Sequence, residues 1–206
     1  MSRTNRADLE YSDYIGARPA VSQLGVTGLS ISRGFDVNLL ADAHQLLAEQ
    51  FPEALIRETS RSLEKPPAVN LLEANEVKRQ KNIGNIAVQD AVDKLYDEVY
   101  SLRQNIPAAP SRILFLGRAA SRNQVMTVVF DAGTEEALVA ERKEILDSLE
   151  GMAEVEYEYS WIRKKIPHIT LARLGLNQVA VVGPKTRKEI MRSLPESIVL
   201  NKASFS

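Results

Sequence analysis

Apolar residues recur along this chain at two spacings, and their order predicts most of the elements. Val26 to Ser32 has the β-branched and small residues of a short strand, punctuated by Gly34. Asp36 is placed to cap a helix in which Leu39, Leu40, Ala43, Leu46, Leu47 and Phe51 fall at helical spacing, until Pro52 stops the run. Leu55–Thr59 and Ala68–Leu72 read as strands on either side of Pro66-Pro67. Residues 73–85 are polar and loop-like, with Lys78, Arg79 and Lys81 close together. Val88, Val92, Leu95, Val99 and Leu102 then step four and three residues at a time, the stripe of a helix over 86–104 with one buried face.

Pro107 and Pro110 end that helix, and a second series begins. Arg112–Leu116 and Val125–Phe130 are the clearest strands, joined as a hairpin through Ala119-Ala120-Ser121-Arg122-Asn123-Gln124. Thr134 reads as the cap of a helix that turns Leu138, Ile145 and Leu149 inward, with Glu135 and Glu136 suited to the positive end of its dipole. Val155, Tyr157, Tyr159 and Trp161 alternate with polar residues as in a half-buried strand, and Ile166–Leu171 follows as another. Val179–Val182 is a further strand candidate. Thr186 and Glu189 have the spacing of a capping box, and residues 198–205 return as a last strand. This order, β-α-β-β, α, β-β-α-β-β, predicts an α+β fold of two similar β/α halves, about 24–105 and 111–206, sharing one core. Residues 1–20 lack periodicity and read as an arm preceding a single domain over 21–206.

Composition narrows the chemistry. With 44% hydrophobic and 26% charged residues, the 206-residue chain is able to build a core. A formal net charge of −1 gives no global electrostatic case for nucleic-acid binding, although a local basic patch remains open. There is no cysteine, so disulfides, thiolate metal sites and cysteine nucleophiles are excluded. His44 and His168 lie far apart, and neither HxxxH nor HExxH spacing occurs, so no metal or other cofactor is expected. No phosphate loop of the GxxxxGK[ST] or GxGxxG type is present. No stretch approaches the roughly 18 apolar residues of a membrane span. The polar N-terminus lacks the apolar run of a secretory signal, so the expected location is the cytoplasm.

The sharpest local feature is Pro167-His168-Ile169-Thr170-Leu171-Ala172-Arg173. In a strand, residues two apart point to one side, so His168 and Thr170 would share a groove while Ile169 and Leu171 face the core. An imidazole transfers protons near neutral pH, and a neighbouring hydroxyl donates to a phosphate oxygen. Counted by simple alternation, Arg173 faces away from that pair unless the strand bends.

This segment, after its β-β-α-β series, resembles the second H-x-T/S motif of the 2H phosphoesterases, the family of 2′-5′ RNA ligases and cyclic phosphodiesterases. The resemblance is carried mainly by residues 111–173 and more weakly by the earlier elements. It implies two pseudo-symmetric halves whose antiparallel sheets form a central cleft, with helices packed outside. It also implies metal-independent catalysis on 2′,3′-cyclic phosphates or 2′-5′ linkages of RNA ends and small nucleotides. One histidine activates a water or hydroxyl, the other protonates the leaving oxygen, and two hydroxyls hold the phosphate. His168 and Thr170 match one motif as catalytic residues. Where the other is expected, Ala68 stands in the histidine position and Asn70 in that of the threonine. Asn70 still offers hydrogen bonds to phosphate, but Ala68 moves no proton, a loss of about 10²–10⁴ in rate.

Other residues have competing readings. Arg163 and Lys165, with Lys164 between them, precede His168 and supply positive charge for a substrate phosphate; the same run also reads as a solvated turn. Tyr157, Tyr159 and Trp161 read as one core face, or as stacking surfaces for bases. His44 reads as a core-edge residue of its helix. The functional classes left open are a phosphodiester-cleaving enzyme, a non-catalytic nucleotide- or RNA-binding pseudoenzyme of the same fold, and a structural protein.

Overall fold

The computed structural model describes residues 29–51, 55–56, 68–72, 85–116, 123–149, 166–175, 179 and 182–205. Strand β1 (Ile31–Gly34) extends through Gly34 rather than ending before it. Asp36 caps as its sequence position predicts: its carboxylate accepts from the Asn38 N–H at 3.0 Å. The 3-10 turn it opens, Val37–Leu40, runs on into α1 (Ala41–Gln50), which buries Ala43, His44 and Leu47. The short β2 (Leu55–Ile56) and β3 (Ala68–Leu72) follow. Helix α2 (Asn85–Glu98) is continued by a 3-10 turn at Tyr100–Arg103. Val92, Leu95, Val99 and Leu102 are all buried along this stretch, so the periodic stripe does face the core.

Pro107 lies inside a strand that periodicity does not reveal, β4 (Ile106–Ala108). Among the described residues it pairs only with β8 (Ile198–Leu200), an edge setting in which a missing N–H is tolerated. β5 (Pro110–Leu116) and β6 (Asn123–Phe130) form the expected antiparallel pair. Helix α3 (Ala132–Leu149) starts three residues earlier than expected, because Asp131 and not Thr134 is its cap. The Thr134 N–H donates to the Asp131 carboxylate at 2.9 Å, while the Thr134 hydroxyl accepts from the Ala109 N–H at 3.2 Å. Hydrogen bonds from the Thr134 side chain and backbone hold the Asp131 carboxyl below the usual aspartate range.

β7 (His168–Gly175) is longer than the apolar run that signalled it. Of the strand expected over 179–182, Val179 is helical and the Val182 N–H donates to its carbonyl at 3.2 Å, while residues 180–181 lie outside the described residues. Thr186 and Glu189 do not form a capping box. α4 (Pro184–Arg192) begins at Pro184, whose fixed φ suits the first helical turn, behind Gly183. The last segment is two strands, β8 and β9 (Ala203–Phe205). The readings at 1–20, 26–28, 57–59, 73–84, the 117–122 connector and the 155–161 strand lie outside the described residues.

The described fold is mixed α+β with antiparallel sheets in the orders β3-β1-β9, β2-β7-β6-β5 and β4-β8. Leu71, Leu95, Leu146, Leu171 and Ile190 belong to one apolar cluster that runs between both larger sheets and the helices. α3 packs on β3 and beside α2, whereas α4 packs on β5 and against α1. Among the described residues, no helix is long and apolar enough to cross a membrane.

One buried ion pair ties these parts together. Arg33 of β1 is fully buried, and its Nε donates to Glu141 of α3 at 2.7 Å. A second nitrogen, Nη2, donates to the other Glu141 oxygen. The remaining bonds, each 2.8 Å, go to the carbonyls of Ser101, Gln104 and Asn201. A guanidinium has five N–H donors, and all are used here. Removing one partner of a buried pair leaves an uncompensated charge, at a cost of about 3–5 kcal/mol. Glu141→Ala is therefore expected to destabilise the protein by about 3–5 kcal/mol in urea unfolding. The joint replacement Arg33→Met with Glu141→Leu is expected to recover most of that loss. Additive losses in the double variant would contradict this assignment.

Candidate functional site

His168 opens β7, and its side chain alternates with the buried Ile169 and Leu171. His168 and Thr170 are both half-buried on the opposite side, as alternation predicts. The His168 Nδ1 lies 2.8 Å from the Ile166 carbonyl oxygen. A carbonyl oxygen only accepts, so Nδ1 carries the hydrogen and the neutral ring has its basic lone pair on Nε2. The chain immediately before the strand thus fixes both the orientation and the tautomer of the imidazole.

A register slip extends this face. On the regular neighbour β6, Val129, Thr127 and Val125 point to one side, and they pair with His168, Thr170 and Arg173 respectively. Leu171 is the extra residue of a β-bulge: it falls between Thr170, opposite Thr127, and Ala172, opposite Met126. Leu171 and Ala172 are consecutive and both fully buried. Arg173, which simple alternation turns away, therefore shares the face of His168 and Thr170, and it is exposed there. Two adjacent apolar residues inside an otherwise alternating strand were the available signal for the slip.

β3 shows the same device. Ala68 pairs with Gly34, Val69 with Arg33, Asn70 with Ser32, and Leu72 with Ile31, which leaves Leu71 as the extra residue. The slip falls three residues after Ala68, just as the one in β7 falls three residues after His168. Ala68 and the exposed Asn70 lie on one face, with Val69, Leu71 and Leu72 buried. Across the sheet, Asn70 is in line with Ser32 and Ser204, whose hydroxyl oxygens are 3.3 Å apart. That polar row is readable from the alternation Ile31-Ser32-Arg33 and Ala203-Ser204-Phe205 once the strands are known to pair. β3 and β7 belong to different sheets, yet their Cα atoms approach within 8 Å.

His168, Thr170 and Arg173 are thus brought onto one face, with the strand of Ala68 and Asn70 beside it. Arg163 and Lys165, with Lys164, lie outside the described residues, as do Tyr157, Tyr159, Trp161, Lys78, Arg79 and Lys81. His44 is 4% exposed, one of the residues α1 buries. Among the described residues, no three His, Asp or Glu side chains are grouped as metal ligands.

No family model matches the chain, and no curated protein matches it. Among solved structures the chain is similar to Usb1 of Kluyveromyces marxianus, at 11% identity over 87% of this chain and 92% of that one, with a TM-score of 0.49. It is also similar to the same protein solved with uridine monophosphate, at 10% identity over 82% of this chain and 81% of that one, with a TM-score of 0.51. The second likeness is one of fold.

The tautomer is open to direct measurement. Nitrogen-15 NMR of the neutral imidazole is expected to show His168 protonated at Nδ1. A ring protonated at Nε2 would mean that the Ile166 carbonyl does not orient it.

Proposed function

We propose that this chain binds and cleaves a phosphodiester of an RNA end or small nucleotide, either a 2′,3′-cyclic phosphate or a 2′-5′ bond. His168 is its acid–base residue and Thr170 its phosphate-holding hydroxyl. The observation that carries the reading is the pair of matched strands. An imidazole and a hydroxyl project together from β7, close to β3, where Ala68 and Asn70 occupy the same offsets from the same kind of slip. The repeated slip supports treating β3 and β7 as counterparts in two pseudo-symmetric halves about a central cleft, as in the 2H phosphoesterases. A fold neighbour solved with uridine monophosphate supports a nucleotide as the ligand.

In this reading the Nε2 lone pair of His168 takes a proton from the attacking water as its oxygen bonds to phosphorus. The bond from phosphorus to one ribose oxygen breaks, and that oxygen gains a proton. Thr170 and Asn70 donate to the non-bridging oxygens, and the Arg173 guanidinium offsets their charge. Arg163 and Lys165 add positive charge from the preceding segment. No side chain at Ala68 can protonate the leaving oxygen, so solvent supplies that proton, and turnover lacks the about 10²–10⁴ of a second acid–base group. Ala68 is also the observation that favours a second reading, in which the same face holds a nucleotide without cleaving it.

The test is hydrolysis of nucleoside 2′,3′-cyclic phosphates without added metal. The wild-type protein is expected to turn them over, His168→Ala to lower the rate by about 10²–10⁴, and Ala68→His to raise it by about 10². Binding of uridine monophosphate that His168→Ala weakens, without turnover, would select the binding-only reading. Turnover or binding indifferent to His168→Ala would overturn both.

A further inference from the structure

We infer that Arg142 is a positioning residue that sets the orientation of Asn70 by clasping the β3 slip from behind; this rests on the proposed role of Asn70 at the phosphate. Arg142 projects from α3 and is 1% exposed. Its Nε donates to the Leu71 carbonyl at 2.9 Å and its Nη2 to the Asn70 carbonyl at 3.3 Å. These two carbonyls belong to the residue carrying the ligand side chain and to the extra residue of the slip. A bulge interrupts the regular ladder, so carbonyls at such a point need donors from elsewhere. The planar guanidinium fork spans two adjacent acceptors, which an ammonium on a flexible stem does not.

The consequence for the site is geometric. Drawing both carbonyls toward α3 fixes the peptide planes on either side of the Leu71 Cα. With its own carbonyl held on the helix side, Asn70 keeps its side chain on the opposite, exposed face. Glu141, the preceding residue of α3, holds Arg33, which pairs with Val69 of the same strand. Consecutive residues of one helix thus locate the strand and then its slip.

The experiment is a double-mutant cycle on the full chain, read by titration with uridine monophosphate. Arg142→Lys keeps the charge and loses the fork. It is expected to weaken binding about 10-fold in the wild-type background and to have no further effect in the Asn70→Ala background. Equal weakening in both backgrounds, or none in the first, would overturn the inference. If Asn70→Ala and His168→Ala both leave binding unchanged, the site reading itself has failed, which is a different result. Should Arg142→Lys not fold, hydrogen exchange of the Arg142 Nε–H in the wild-type protein serves instead. Exchange is expected to slow as uridine monophosphate perturbs the Asn70 side-chain amide. A perturbed Asn70 with unchanged exchange at Arg142 would overturn the inference.

Discussion

A charge removed from water must be met by partners inside the protein, and this requirement governs how the described elements fit together. Arg33, Glu141 and Arg142 are all buried. Arg33 meets its requirement with Glu141 and with carbonyls from the turn after α2 and the link between β8 and β9. Arg142 meets part of its own with the β3 carbonyls. Displacing α3 along β3 would strand these groups together, so the helix has one seat. Apolar packing contributes most of the burial, but it is tolerant of small shifts; the hydrogen-bonded charges are not.

The apolar spacing made the main elements legible. The stripe from Val92 to Leu102, the Asp36 cap, the antiparallel pairing of β5 with β6 and the strands at Ala68 and His168 all follow from local rules that the structure respects. The departures have physical reasons. Asp131 displaces Thr134 as cap because its carboxylate reaches the third N–H of α3. Pro107 enters a strand because, among the described residues, only one edge of β4 is paired. The burial of Arg33 lies beyond local rules, because nothing near it announces that Glu141, far along the chain, will neutralise it. A buried ion pair of long sequence separation has no periodic signature.

The same distinction separates the legible part of the candidate site from the rest. His168 and Thr170 share a face by alternation alone, which any two residues of that spacing in a strand would do. Arg173 joins them only because Leu171 bulges out of register; Asn70 precedes the corresponding slip at Leu71 and shares the face of Ala68 by alternation, but the slip itself is not legible. Register is a property of two strands, and the partner of each strand is distant in sequence. The chemistry proposed for this face is asymmetric for an equally specific reason: one strand presents an imidazole where the other presents the methyl group of Ala68.

The central claim is that β3 and β7 present their polar side chains to one phosphate-bearing ligand. Its most direct measurement is an NMR titration with uridine monophosphate that follows the His168 imidazole and the Asn70 side-chain amide together. Both signals are expected to move along one saturating curve with a single Kd. Movement of neither, or two curves with different midpoints, would contradict the account.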